Sequence, residues 1–201
     1  MFIVLSKSFL IFDKDDVISS QDDSDCKKAL IVYDLKRDSG KPTQIDWCPP
    51  TESTKNDADN VKKNPTVSFN TGTVSHLQEF IAISDELKNV IIFDHNFHQI
   101  NQFKLKKNAQ KMIFTKNETK ILICDKAGDI YEFDVKQSSS SPVEENCGRL
   151  LLGHCSMLLD FLLTDDQRYI ISADRDEKIR VTHYPNTRIV LVITNLFHPF
   201  N

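Results

Sequence analysis

Glycine, cysteine and tryptophan are sparse in this chain, and each shortage narrows what it can be. The glycines of the 201 residues (Gly40, Gly72, Gly128, Gly148, Gly153) form neither a G-x-G-x-x-G fingerprint nor a P-loop, so no nucleotide cradle is recognisable. The five cysteines (Cys26, Cys48, Cys124, Cys147, Cys155) are odd in number and lack C-x-x-C spacing. That argues against a disulfide framework or a zinc site and for a reducing compartment. The net charge of −4 gives no global attraction to nucleic acid or anionic membrane. No run reaches the roughly 18 apolar residues of a membrane span. The apolar start, Met1 to Phe12, lacks a cationic first region, is interrupted by Lys7 and runs into Asp13-Lys14-Asp15-Asp16, so it reads as strand material rather than a secretory signal. A soluble intracellular protein is expected.

What is present is β-structure. Every apolar run is short and rich in Ile, Val and Phe, with almost no helical periodicity, and the chain is expected to be all-β. The clearest unit spans 150–183. It holds Gly153-His154, an apolar run from Met157 to Leu163 broken only by Asp160, and a polar turn at Thr164 to Gln167. A second run from Tyr169 to Ala173 follows, then a charged turn from Asp174 to Lys178 and an alternating strand from Ile179 to His183. The ending recurs at Asp94 and Asp134, which are 40 residues apart; His183 lies 49 further on, or 39 without the low-complexity stretch 137–146. A period near 40 with about four short strands per unit is that of a WD-repeat propeller blade. Four blades are expected, at about 2–34, 67–94, 98–134 and 150–183, in one partial propeller spanning 1–201. Two insertions interrupt it, at about 36–64 and 137–146; the first is read as a surface or disordered loop carrying Trp47.

Few residues suggest chemistry. Within the 150–183 unit a buried relay is expected, with His154 reaching to Asp176 in the turn and Ser172 completing the link; the aromatic residue usual at the end of the third strand is replaced by Thr182. His154 beside Cys155 is not a nucleophile and its base, because neighbours on a strand point to opposite faces and no oxyanion-hole turn is present. Asp125, Asp129 and Asp134 are accounted for by turn and strand-end roles without a cation. The charged turn reads as a solvated loop whose ion pairs contribute ~0–1 kcal/mol each. Arg180 is different: between Ile179 and Val181 it faces away from whatever they bury, and a guanidinium there needs a carboxylate. Asp176 or Glu177 can supply one within the chain; so can a partner subunit.

The segments GHCSMLLD (153–160) and ADRDEKIR (173–180), with ICDKAGDIYEFDV (123–135) and more loosely FIAISDELKNVIIFD (80–94), carry a specific resemblance. They resemble the non-catalytic WD-repeat subunit family of eukaryotic tRNA (guanine-N7)-methyltransferase, which includes WD-repeat protein 4 and Wuho. The resemblance covers roughly 67–190. It implies a seven-bladed propeller, here represented by about four blades, that performs no chemistry and holds no cofactor. Such a subunit binds and orders a Rossmann-fold catalytic subunit, which carries S-adenosylmethionine and methylates a guanine in the tRNA variable loop. The resemblance makes Arg180 the residue that pairs with a carboxylate of that subunit, with Lys126, Arg175 and Lys178 as neighbouring contacts on one rim. It implies contact with tRNA mainly through the complex, a nuclear location and no membrane. After Asn186 the chain departs from the family and reads as a truncated product. Any propeller can instead serve as a generic WD-repeat adaptor in a protein–protein complex.

Overall fold

The computed structural model describes residues 68–136 and 148–194, together with the backbone of four earlier strands. The chain divides into two compact units, Met1–Phe69 and Asn70–Asn201. In the first, β1 (Ile3–Leu5), β2 (Phe9–Asp13), β3 (Lys28–Asp34) and β4 (Thr43–Trp47) form an antiparallel meander. Its register sets Ile3 opposite Phe12, Phe9 opposite Asp34 and Lys28 opposite Trp47. The presence of β4 corrects the expectation that 36–64 is loop throughout: Thr43–Trp47 completes the sheet along the free edge of β3. Alternation of Gln44 and Asp46 with Ile45 and Trp47 is the strand signal inside that otherwise polar stretch. The expected insertion at 137–146 lies outside the described residues.

The second unit contains three further four-stranded meanders. The first is built of β5 (Phe69–Val74), β6 (Phe80–Asp85), β7 (Asn89–Asp94) and β8 (Gln99–Lys104). The next holds β9 (Ala109–Phe114), β10 (Lys120–Asp125), β11 (Asp129–Asp134) and β12 (Arg149–Gly153). The last holds β13 (Leu158–Leu163), β14 (Tyr169–Asp174), β15 (Ile179–His183) and β16 (Ile189–Ile193). The described residues contain no helix. Sheets and sequence repeats are offset by one strand. The repeat at 98–134 begins with β8, which closes the sheet of β5–β7, and that at 150–183 begins with β12, which closes the sheet of β9–β11. These two repeats thereby each span two sheets and tie them together.

Two turns recur because the same residue types recur. Between the first and second strands, Ser75, Thr115 and Thr164 each accept the backbone N–H five residues on with their hydroxyl oxygen. Gln78, Glu118 and Gln167 then take the left-handed conformation, at φ 65°, 55° and 55°. These residues also link the sheets: Glu118 Oε1 accepts the N–H of Leu77 at 2.6 Å, and Gln167 Oε1 that of Lys116 at 3.0 Å. Between the second and third strands, Asp85, Asp125 and Asp174 cap the turn by accepting backbone N–H groups ahead of them. Such side-chain caps satisfy donors that the ladder leaves open.

The core lies between the sheets. Ala82, Val90, Ile92 and Phe103 of the first pack on Met112, Phe114, Ile121 and Ile123 of the second. Phe103 stacks on Phe133 with ring centroids 4.1 Å apart. Leu122, Cys124 and Ile130 in turn pack on Leu158, Phe161 and Ile170 of the third sheet. Each Val, Leu, Ile, Phe or Met among them contributes about 1.5–3 kcal/mol when fully buried. Glu132 adds a polar clamp, accepting hydrogen bonds from Arg149 Nε at 3.2 Å and from the Tyr184 hydroxyl at 2.6 Å. Burial, then that bond and the carboxylate charge, push the Tyr184 hydroxyl well above its usual range.

Candidate functional site

The turn β14–β15, the connection β12–β13 and the turn β10–β11 meet at one end of the sheets. They are joined in series. Gly128 takes φ 109°, and a Cβ there would lie 2.5 Å from the carbonyl oxygen of Ser156. Only glycine permits the turn β10–β11 to seat so closely on the connection 154–157. His154 N–H donates to the Gly128 carbonyl at 2.9 Å. From that connection three contacts reach the β14–β15 turn: His154 to Asp174, the Ser156 hydroxyl to Asp176 Oδ1 at 2.9 Å, and the Met157 carbonyl to the Arg175 N–H at 2.9 Å.

The relay exists, but with a different acid. His154 Nδ1 is 2.9 Å from Asp174 Oδ2 and its Nε2 is 2.8 Å from Ser172 Oγ. Asp176, the expected acid, instead accepts from Ser156. The cause is strand periodicity. Ile170, Ser172 and Asp174 alternate on the buried face of β14, so one imidazole spans the latter two. Beside an ionised carboxylate Nδ1 carries a proton and donates it to Asp174, while Nε2 pairs with the Ser172 hydroxyl. Burial alone would raise the Asp174 carboxyl. The bonds from His154 and from the N–H groups of Lys178 and Asp176, with the His154 charge, outweigh it and hold the group below its usual range. Nothing here is aimed at a reacting atom, and Cys155 next to it is exposed while the imidazole is enclosed.

The four expected partner-binding cations are brought onto this one rim. Lys126 is exposed in the β10–β11 turn, and Arg175 and Lys178 flank Asp176 and Glu177 in the β14–β15 turn. Arg175 is 4.0 Å from Asp176, a loose surface pair. Arg180 lies on β15 opposite Ser172, on the same face as the relay. Its Nη1 donates to the Gly153 carbonyl at 2.9 Å, while its Nε is buried with no hydrogen-bond partner. Among the described residues no ion pair involves Arg180, so neither Asp176 nor Glu177 serves it.

Asp125, Asp129 and Asp134 do not converge. Asp125 caps its turn, Asp129 Oδ2 accepts from the Tyr131 hydroxyl at 3.2 Å, and Asp134 pairs with Lys120 Nζ at 2.7 Å. Among the described residues no group of His, Cys, Asp and Glu could hold a metal ion, and no helix is long and apolar enough to cross a membrane. Sequence reasoning missed Asp174, the Ser156–Asp176 bond and the seating of Gly128; the alternation along β14 was the signal for the first.

Comparison with known proteins gives a consistent picture. The profile of the tRNA methyltransferase TRM82 WD40 domain matches residues 18–149 and 136–192. The tRNA (guanine-N(7)-)-methyltransferase non-catalytic subunit WDR4 of Homo sapiens is 39% identical over 111 residues, 55% of this chain and 26% of that protein. The Danio rerio counterpart is 31% identical over 167 residues, 78% of this chain and 38% of the relative. The non-catalytic subunit wuho of Drosophila ananassae is 43% identical over 83 residues, 41% of this chain and 19% of the relative. The chain thus spans well under half the length of these relatives. A chain in the crystal structure of the mitotic checkpoint complex superposes with a TM-score of 0.62 at 14% identity, covering 84% of this chain and 45% of that one, which speaks for the fold alone. With four-stranded meanders, recurring turns and this profile match in agreement, the fold is that of a partial WD-repeat β-propeller, and the chain belongs to the tRNA methyltransferase TRM82 WD40 domain family.

Proposed function

We propose that this chain is a non-catalytic WD-repeat scaffold. It binds the catalytic subunit of a tRNA (guanine-N7)-methyltransferase and holds it for methylation of a variable-loop guanine. Its relatives are named as non-catalytic subunits, and Lys126 and Arg175 stand exposed on the rim beside the half-buried Lys178 and Arg180. On this reading S-adenosylmethionine sits on the Rossmann-fold partner, tRNA is met mainly through the complex, and the complex acts in the nucleus. The contribution of the scaffold is pre-organisation of another protein's site.

The observation that carries the reading is Arg180. A half-buried guanidinium with an unpartnered Nε and a single carbonyl acceptor is under-satisfied, and a planar carboxylate is the group that completes it. Arg180→Leu tests the assignment. Its binding to the purified catalytic subunit should weaken by about 2–5 kcal/mol, roughly thirty-fold or more in Kd. The melting temperature should barely move, because one exposed bond to Gly153 contributes about 0.5–1.5 kcal/mol at most. Unchanged binding with a lowered melting temperature would return Arg180 to structure and remove the support for this reading.

A further inference from the structure

Three carboxylates stand around Arg180, and each is bonded to another donor. Asp174 follows Ser172, the cross-strand neighbour of Arg180, on the buried face of β14, and its Oδ2 is taken by His154. Asp129 lies across from Gly153, whose carbonyl oxygen accepts the Arg180 Nη1 bond. Its Oδ1 is 2.6 Å from where a Cβ of residue 153 would stand, and its Oδ2 accepts from the Tyr131 hydroxyl at 3.2 Å. Asp176 reaches the same crossover three residues further on, where its Oδ1 accepts from the Ser156 hydroxyl at 2.9 Å. Of the three it is the least confined: the Asp174 side chain is 2% exposed and that of Asp176 49%. Arg175, at 4.0 Å, is too loose a pair to hold it. One bond from Ser156 therefore decides where the Asp176 carboxylate points.

The preceding sheet shows what that serine is matched to. At the position of Arg180 it has Tyr131, at that of Asp176 it has Ala127, and at that of Ser156 it has Lys107. The backbone bond between turn and crossover is kept in both, from Lys126 N–H to the Asn108 carbonyl and from Arg175 N–H to the Met157 carbonyl. Seating the turn thus does not require the serine; hydroxyl, acid and guanidinium occur together in β13–β16 and are all absent from β9–β12.

We propose that Ser156 is a positioning residue for the partner contact: by taking the Asp176 carboxylate it keeps that acid from turning onto Arg180. The inference rests on the reading that Arg180 meets a partner carboxylate. A freed Asp176 has Arg175, Lys178 and Arg180 as candidate cations. Arg175 is solvated and Lys178 is a compact ammonium, whereas the Arg180 Nε is a buried donor without an acceptor, so a carboxylate gains most there. The bond from Ser156 is charge-assisted and already formed, which leaves Asp176 little to gain by moving. Without it, only the fraction of chains with an unpaired Arg180 could bind the partner, and the apparent Kd would rise accordingly.

The test is a mutant cycle on the 201-residue chain, with binding to the purified catalytic subunit read by titration calorimetry. Ser156→Ala should raise the Kd about two- to fivefold, the weight of an exposed ion pair. It should have no effect in the Asp176→Asn background, where the competing charge is gone. In the free chain, the Nε–H nuclear magnetic resonance signal of Arg180 should shift in Ser156→Ala and return in Ser156→Ala/Asp176→Asn. A serine that only braced the turn would weaken binding equally in both backgrounds and leave that signal in place; either result would overturn the proposal. So would an unchanged Kd for Ser156→Ala. Arg180→Leu in the same assay separates this inference from the reading beneath it. If that variant weakens binding while the Ser156 cycle shows no coupling, only the role of Ser156 falls. If it leaves binding unchanged, the partner reading falls and takes the role of Ser156 with it.

Discussion

The sheets β9–β12 and β13–β16 share their turns and their common core, yet they anchor the same turn by different means. In both, an aspartate closes the second strand and accepts N–H groups of the turn. In both, the residue arriving from the previous outer strand donates its N–H to the left-handed turn residue behind it: Leu105 to Lys88, and His154 to Gly128. From there the sheets diverge. Leu105 packs with Ile123 in an apolar cluster, and Asp125 is satisfied by the N–H groups of Ala127, Gly128 and Asp129. At the matching positions His154 and Ser172 form directional bonds, and Asp174 takes the imidazole in place of a third N–H. Phe133 stacks on Phe103 in one sheet, while Thr182 stands at its place in the other with a buried, unpartnered hydroxyl. The aspartate turn is therefore self-sufficient, and the relay is an added link that fixes the incoming crossover where packing is weaker.

The largest test of this contrast removes the relay. His154→Leu leaves the Ser172 hydroxyl and one oxygen of Asp174 buried without partners, and should cost about 2–4 kcal/mol in denaturant unfolding. If the apolar solution of β9–β12 is transferable, His154→Leu/Ser172→Ile should recover about 1–2 kcal/mol of that loss, since only Asp174 then remains and it keeps two turn bonds of the kind that hold Asp125. A double variant no better than the single would break the equivalence of the two sheets.

This contrast also marks what sequence could and could not show. The all-β class and the repeat were legible because strand ends at Asp94, Asp134 and His183 recur at a blade's spacing and the runs between them are short and branched. The acid of the relay differs from the expected Asp176, because the two-residue period of β14 sets Ser172 and Asp174 on one face. The offset between repeats and sheets was hidden for another reason. Which neighbour an outer strand joins depends on long-range pairing, and Gln99–Lys104 alone does not distinguish closing one sheet from opening the next. Arg180 was legible as a residue needing a partner; that the intramolecular carboxylates do not reach it required coordinates.

A smaller effect concerns the third residue after each turn aspartate. Lys88 and Glu177 adopt φ 70° and 60°, within reach of any residue at modest strain, whereas Gly128 at 109° is outside it and touches the backbone of Ser156. Gly128→Ala should therefore cost about 1–3 kcal/mol and displace the His154–Ser156 connection. Glu177→Gly should be neutral or stabilising by up to about 1 kcal/mol, because it relieves a left-handed side chain. Equal effects of the two substitutions in thermal unfolding would show that the close seating of Gly128 is not what distinguishes the turns.

The smallest effect is one of sign, between Asp174 and the matching Asp85 of the first sheet of the unit. Burial raises Asp85 and prevails over the bonds from the Asn89 side chain and the N–H groups of Asn89 and Leu87, so its carboxyl titrates above the usual value. Asp174 titrates below it, because the His154 bond and the turn bonds overcome burial. The linkage then runs in opposite directions. The folded state holds the proton of Asp85 more tightly than the unfolded chain, so its ionisation removes stability as pH rises from the unfolded carboxylate value of about 3.9 through the higher folded value. Asp174 contributes stability that is complete above about pH 3.9 and is lost as pH falls through its lower folded value. Relative to the parent, Asp174→Asn should thus be most damaging at neutral pH and converge on it in acid, whereas Asp85→Asn should improve as pH rises. Denaturant titrations of the three proteins between about pH 3 and pH 7 read both slopes. Parallel slopes for the two variants would mean that the histidine does not separate the environments of the two aspartates, and the relay would then be packing in polar form rather than an electrostatic link.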